Sequence, residues 1–446
     1  MTRRGFARNV CCRPLREPPG AGNFVSIRNY WFRIPTASEP IVRKINVRNF
    51  TLATRSTSRE INRQILLNLV REHQPISRAD LARRMNIGRG RVTALVNELI
   101  DEGAVYEGET VDTVRGRKPR MLHIRTRDRL VVAADVRFSM TYLMLSDFGG
   151  AQIALETFPT LVDPEALVAE LASRVERLLR TYGEGGACEG FGLVVPGMVD
   201  QRTGRVLNSP QLGWRDVEIR DTLAAATGLD VHIENAPIAC ALAQMWLGQR
   251  GAETGDFVYV TVGDGVGAGV VVNGQVVRGS SHTAGEFGHV PLVEDGPRCL
   301  CGARGCWEAH TSNLATLSRY LGQELNPVAT RALLEETSLT MEELITRART
   351  GDARARAALD ETGRYLGRGL AMIVNGLNPS RIFVGGELTA AWDIIEPRVR
   401  AEIEERALTT SAAATPIIPE QTVANPRLRG AIALVAAPLF AAPTVG

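Results

Sequence analysis

One histidine and three cysteines crowd into the stretch GEFGHVPLVEDGPRCLCGARGCWE, residues 285–308. Three of the chain's seven cysteines fall between positions 299 and 306, a spacing too tight for a web of disulfides. His289, Cys299, Cys301 and Cys306 offer one imidazole and three thiolates, a complete tetrahedral set for structural zinc. Gly302 and Gly305 let a loop fold around such an ion, and the gap to His289 pins a second segment to it. With all four positions filled by protein, no open position is left for metal-assisted chemistry. Buried free thiols are the alternative reading. The other cysteines, Cys11, Cys12, Cys188 and Cys240, are scattered, which suits a reducing, cytoplasmic compartment.

A second set of residues fits nucleic acid. Thr57 precedes Glu60 at capping-box spacing, and Ile61, Ile65, Leu66 and Leu69 then share a helical face. Ser77 and Asp80 repeat that spacing at the start of a second helix. After IGRG, a third helix carries Val92, Leu95, Val96 and Leu99 on its inner face, and Gly103 stops it. Short helices joined by a tight turn make a helix-turn-helix. The outer face of the third helix presents Arg89, Arg91, Thr93 and Asn97. Arginine reads guanine edges and asparagine reads adenine in the major groove. The segment that follows predicts a hairpin wing whose tip, RGRKPR, offers Arg115, Arg117, Lys118 and Arg120 to phosphates or a minor groove. A small helical domain with a solvated charged loop is the plainer reading.

The elements that must position these groups follow from the whole chain. At 446 residues it is long enough for more than one domain, and 44% hydrophobic with 23% charged residues is ordinary for a globular protein. No apolar run is long enough to span a bilayer, and the N-terminus lacks the apolar core of a secretory signal. Charge is lopsided: residues 1–50 carry ten Lys/Arg against two acids, whereas residues 121–446 carry twenty-nine against thirty-eight. A basic front on an acidic body suits a nucleic-acid reader joined to something else. Residues 1–55 show no periodicity and several prolines; they read as disordered, an extension ahead of the native start, with a basic DNA-binding arm as the alternative. Residues 56–125 form the winged helix-turn-helix domain, and residues 129–440 a second body in which strands alternate with helices. The body is α/β, with one long helical tract expected over roughly 328–377.

Seven stretches in order carry a resemblance. They are VVPGMVD at 194–200, NSPQLGW at 208–214, ENAPIACALA at 234–243, GDGVGAG at 263–269, AGEFGH at 284–289, CLCGARGCWE at 299–308 and LNPSRIFVGGEL at 377–388. Together they resemble the ROK family of repressors, uncharacterised reading frames and sugar kinases. The resemblance covers roughly residues 58–440, winged domain included. It implies an actin/hexokinase-like (ribonuclease H-like) body of two lobes, and it places zinc at His289, Cys299, Cys301 and Cys306. It also implies that a sugar is held by Asn235, Glu286, His289 and Glu308, so the zinc loop would fix Glu286 and Glu308 relative to one another. As a zinc ligand, His289 would meet sugar only with its other ring edge.

The chain departs from the kinase pattern at three places. The family's catalytic base is the Asp of an END motif, and here that position is Ala236. Glu234 is a poor substitute, because neighbours on a strand point to opposite faces. The first phosphate loop reads Asp135-Val136-Arg137-Phe138-Ser139, where Arg137 and Phe138 replace the glycines that let backbone N–H groups approach phosphates. The second loop keeps its glycines but has Asp264 where the kinases usually have threonine. The expectation is therefore a sugar-responsive transcription regulator, a repressor rather than an enzyme, with structural Zn2+. Its expected partners are palindromic operator DNA bound as a homodimer and a small sugar effector. An active ATP-dependent sugar kinase with an accessory DNA-binding domain is the alternative, and a protein partner docking on the acidic body is a third.

Overall fold

The computed structural model describes residues 55–110, 119–183, 186–247, 255–420 and 425–441. The expectations for residues 1–54, and for Arg115, Arg117 and Lys118 at the wing tip, lie outside the described residues.

The chain first builds three helices, α1 (Arg55–His73), α2 (Arg78–Met85) and α3 (Arg89–Asp101). Helix α1 begins before Thr57, so Thr57 lies inside its first turn and does not cap it; nothing in Arg55–Ser56 opposes helix. Ser77 does cap α2, its hydroxyl oxygen accepting from the Asp80 N–H at 3.1 Å. Asn86 closes that helix in the left-handed region at φ 53°, a conformation asparagine tolerates, and Gly88 opens α3. Leu66, Leu67, Val70, Leu81, Val92, Val96 and Leu99 are fully buried where the helices meet. Strands β1 (Ile76–Ser77), β2 (Val105–Thr110) and β3 (Arg120–Ile124) form a small sheet in the order β1–β3–β2, the wing.

The body repeats one connectivity twice. Strands β4 (Arg129–Val136), β5 (Met140–Asp147) and β6 (Gln152–Pro159) form an antiparallel meander. Strand β7 (Ala187–Val195) then lies parallel to β4. A small sheet of β8 (Met198–Asp200), β9 (Arg205–Ser209) and β10 (Trp214–Glu218) intervenes before β11 (Val231–Asn235) joins parallel to β7. The first lobe thus has the order β6–β5–β4–β7–β11. In the second lobe, β12 (Phe257–Val262), β13 (Val266–Val272) and β14 (Gln275–Val276) repeat the meander. Strands β15 (Arg381–Gly385) and β16 (Ile417–Pro419) then add in parallel, giving β14–β13–β12–β15–β16. The central strands are buried on both faces, as parallel strands under helices must be; β12 is apolar and buried almost throughout. This duplicated arrangement is the expected two-lobed, actin/hexokinase-like body.

The long helical tract is in fact three helices, Pro327–Thr337, Met341–Arg349 and Ala353–Leu377. Each has its own cap: Asn326, Thr340 and Asp352 accept from backbone N–H groups and stop the preceding turn from running on. The final helix, Pro426–Phe440, returns to the first lobe and packs on β4, β7 and the helix Ala236–Leu247. Glycines permit that contact. A Cβ at Gly192 would lie 1.8 Å from the Ala431 carbonyl oxygen, and one at Gly430 2.6 Å from the Ala239 carbonyl carbon. Among the described residues, no helix is long and apolar enough to cross a membrane.

Candidate functional site

Asn235, Glu286, His289 and Glu308 come from four separate stretches of sequence, and all four line one cleft. Asn235 ends β11 and caps the helix that follows, its Oδ1 accepting from the Ile238 N–H at 3.1 Å. This leaves the amide nitrogen as the group available to a ligand. Glu308 is nearly buried; its Oε2 accepts from the Val266 N–H at 2.9 Å, which pins it to the turn between β12 and β13. Gly265 is required there, since a Cβ would stand 2.7 Å from that carboxylate. Burial pushes the Glu286 carboxyl above the usual range, His289 opposes the shift and Glu308 adds to it.

The His/Cys cluster lies behind these carboxylates, with Cys299 Sγ 3.3 Å from the Glu308 carboxylate. The ligand atoms of His289, Cys299, Cys301 and Cys306 all lie within 4.8 Å of one another. Cys301 and Cys306 sulfurs are 3.8 Å apart, and Cys299 Sγ is 3.6 Å from His289 Nδ1. Zinc bond lengths of ~2.3 Å to sulfur and ~2.0–2.1 Å to nitrogen make tetrahedral edges of about 3.8 and 3.6 Å, so the donors fit the ion. The knuckle is held by its backbone: Cys299 N–H donates to Ala303 O, Gly302 N–H to Cys299 O, and Gly302 and Gly305 sit at φ 95° and 69°. A Cβ at Gly305 would collide with the Val293 carbonyl at 1.6 Å. Burial and the nearby Glu308 push the Cys299 thiol up, and burial and Cys301 push Cys306 up to about 11. A bound cation would let three thiolates share this pocket.

The other end of the cleft is occupied by charge. Arg137 lines it, donating to the fully buried Asp135 at 2.7 Å and, across the lobes, to Glu387 at 3.0 Å. Arg427 lies 3.8 Å from Asp135, and Asn313 donates to Glu387 at 3.1 Å. Burial alone would raise the Glu387 carboxyl, but Arg427 and Arg137 hold it below the usual range. Ala236 and Asp264 line the same cleft. Glu234 is buried behind it and paired with Arg278, its carboxyl pushed up by burial against the pull of that arginine. Sequence reasoning missed Glu387, Arg427 and Arg278, because each meets its partner only through the fold.

On the winged domain, Arg89, Arg91, Thr93 and Asn97 are all exposed on α3; helical spacing groups Arg89, Thr93 and Asn97 on one side and sets Arg91 at its other edge. Two of them are already engaged: Thr93 donates to the Arg89 carbonyl at 2.9 Å, and Asn97 Oδ1 accepts from Arg78 at 2.9 Å. Arg78 also pairs with Glu107 of the wing at 2.9 Å, and Arg120 pairs with the same carboxylate at 3.1 Å. Glu107 therefore ties α2 to the wing. Arg78 was not foreseen, although a basic residue directly after the Ser77 cap was the available signal.

Residues 139–437 match the ROK family and residues 59–106 match a winged helix-turn-helix DNA-binding family. A xylose repressor from Caldicellulosiruptor bescii is 28% identical over 354 residues, 78% of this chain and 88% of that one. Among solved structures, a ROK family transcriptional regulator described as a homologue of the E. coli MLC protein superposes with TM-score 0.71 at 26% identity. That match covers 86% of this chain and 98% of the other. A ROK family glucokinase from Streptomyces griseus, in complex with glucose and AMPPNP, matches with TM-score 0.59 at 26% identity. It covers 68% of this chain and 98% of its own.

Proposed function

The chain belongs to the ROK family, and from that premise we propose that it is a sugar-responsive regulator of transcription, a repressor that leaves its operator when a sugar occupies the cleft. One observation carries this reading: a single chain holds both an exposed arginine-bearing α3 and a cleft lined by Asn235, Glu286, His289 and Glu308. Amide, carboxylates and imidazole supply the donors and acceptors that vicinal hydroxyls need, and a site built to pair hydroxyls rejects ligands without them. The xylose repressor's name points to the same class of ligand.

On this reading His289, Cys299, Cys301 and Cys306 hold structural zinc, whose contribution is to cross-link the two segments that carry Glu286 and Glu308. Arg89, Arg91, Thr93 and Asn97 face base edges, while Arg115, Arg117, Lys118 and Arg120 grip the backbone. A homodimer would place two α3 helices on the half-sites of a palindrome about one DNA turn apart. The domains are residues 56–125 for DNA and 129–440 for sugar, and the protein acts in the cytoplasm.

Sugar phosphorylation is the second reading, favoured by the likeness of the body to a glucokinase. Three features speak against it. Alanine stands where the base is needed, Glu234 is committed to Arg278, and the first phosphate loop is filled by an arginine bonded across the cleft. The deciding experiment is fluorescence anisotropy of the purified protein on DNA from upstream of its own gene, with and without a panel of sugars. Salt-sensitive binding reversed by one sugar establishes the regulator. Binding that no sugar alters, together with ATP-dependent phosphorylation of a hexose, overturns it.

A further inference from the structure

Two helices run from the cleft to the winged domain, and both end on one arginine. The first, Ala236–Leu247, starts at Asn235, and its first residues, Ala236 and Pro237, line the cleft. The second, Pro426–Phe440, carries Arg427 in the cleft beside Asp135. The pair is locked at close quarters by Gly430 against the Ala239 backbone, which leaves little room for one to slide without the other. At their far ends stand Trp246 and Phe440, whose rings stack with centroids 6.1 Å apart.

Arg71, near the end of α1, places its guanidinium 4.6 Å from the Trp246 ring and 5.1 Å from that of Phe440. Among the described residues its Nη1 is buried without a hydrogen-bond partner while its Nη2 lies 3.5 Å from Glu72, so at Nη1 the aromatic faces stand in place of water. Gln64 and Asn68, on the same helix, complete the joint: Gln64 donates to the carbonyls of Leu439 and Ala441 at 2.9 and 2.8 Å, and Asn68 to that of Phe440 at 2.9 Å. Helix α1 in turn packs on α3, with Leu66, Leu67, Val92, Val96 and Leu99 in one buried cluster that also holds Leu434, Ala436 and Phe440.

We infer that Arg71, held against Trp246 and Phe440, is the positioning residue that passes the state of the sugar cleft to the DNA-reading helices. The inference rests on the sugar-responsive reading above. A ligand that shifts Asn235 or Arg427 shifts the origin of one or both helices, and a packed pair transmits the shift to its far end as a rigid unit. The guanidinium sees a displaced aromatic face and α1 follows. Arg71 touches neither ligand, so its loss should separate the two activities and leave each intact.

The test uses the full chain with Arg71→Met, Arg71→Lys and, from the opposite side of the contact, Trp246→Leu. In the unaltered protein the effective sugar should change operator affinity by the ~5–150-fold typical of allosteric coupling. Arg71→Met should keep sugar affinity by calorimetry and sugar-free operator affinity within about threefold, while the sugar-induced change falls below about twofold. Arg71→Lys, which keeps the cation, should restore part of it. An undiminished sugar effect in both Arg71→Met and Trp246→Leu overturns the inference.

Hydrogen–deuterium exchange separates this outcome from failure of the sugar reading. Adding operator DNA alone should change exchange in Ala236–Leu247 and Pro426–Phe440, and Arg71→Met should confine the change to the winged domain. If no sugar acts but DNA still alters those helices through Arg71, the effector assignment fails and the coupling stands. If DNA leaves them unchanged in the unaltered protein, the coupling is refuted.

Discussion

His289 divides its ring between two partners: Nδ1 faces the Cys299 sulfur at 3.6 Å, while Nε2 lies 3.8 Å from the Glu286 carboxylate. The ring edge turned to the cysteines is the one a metal needs, and the other is turned to the cleft. At 3.8 Å this is a charge contact and not a hydrogen bond; a carboxylate hydrogen-bonded to the far nitrogen of a metal-bound histidine would fix its tautomer. Metal binding should draw Glu286 into that bond, so Glu286→Gln should lower metal affinity ~10–100-fold as well as weaken sugar binding. Competition with a chromophoric chelator measures the first and calorimetry the second. Unchanged metal affinity would mean that the two groups are merely neighbours.

Removing a metal ligand tests the cluster directly. Cys301 is the exposed member of the set, so Cys301→Ser disturbs little packing. The variant should lose bound zinc by elemental analysis, unfold at a lower temperature and no longer respond to sugar. Loss of the proposed zinc would remove the cross-link between the segments of Glu286 and Glu308. Retention of one zinc per chain with an unchanged Tm would reject the assignment.

Much of this arrangement was legible in the sequence, and the reasons are physical. The cysteines are local, and their spacing marks a cluster that could hold a metal ion before any fold is known. Alternation of strand and helix gives the body, and the apolar faces of α1 and α3 give the reader. Caps were half legible. Ser77 was read correctly, but Thr57 was not, because a cap motif inside a helix-tolerant stretch does not stop the helix upstream. The long tract between 328 and 377 divided at Thr340 and Asp352, whose capping bonds compete with helix propagation. Nothing local announced that Arg137 would find Glu387, 250 residues away. Such pairs are written in topology alone.

The proposed DNA contacts would divide into readers and anchors. Arg91 is exposed and free of any ion pair among those described, whereas Arg120 is shared with Glu107. Arg91→Ala should cost ~1–3 kcal/mol on the operator and relax discrimination at one base position. Arg120→Ala should weaken all sequences alike and reduce the salt slope by about one ion. Binding to a set of single-base operator variants across salt concentrations distinguishes the two. Equal loss on every sequence for Arg91→Ala would remove it from the readers.

Acid should act through His310, which is buried and stacked on Tyr365 with ring centroids 4.1 Å apart. Burial and the nearby Arg319 pull its pKa down to about 4. An unfolded chain protonates histidine near pH ~6.5, so between that value and about 4 the unfolded state binds the extra proton. Stability should therefore fall as pH drops through this window. His310→Phe keeps the stacking and removes the titration. Urea denaturation from pH 7 to 4.5 should show a shallower decline for the variant, and parallel curves would exclude His310 as a source.

The charged cluster around Asp135 and Arg137 in the cleft makes the final prediction. Asp135 is fully buried, and Arg137 is its nearer cation, with Arg427 more distant at 3.8 Å. Breaking a buried pair from one side strands a charge and costs ~3–5 kcal/mol, whereas replacing both members can be nearly neutral. Arg137→Met alone should therefore destabilise the body strongly, less than the full range to the extent that Arg427 moves in. Asp135→Asn combined with Arg137→Met should recover most of the loss. Glu387→Gln should cost less than Arg137→Met, because Glu387 is about a third exposed and its oxygen can turn to water. Urea unfolding of the three variants orders them. If Arg137→Met proved as mild as Glu387→Gln, Asp135 would be satisfied by Arg427 alone, and Arg137 would be free to meet a ligand in the cleft.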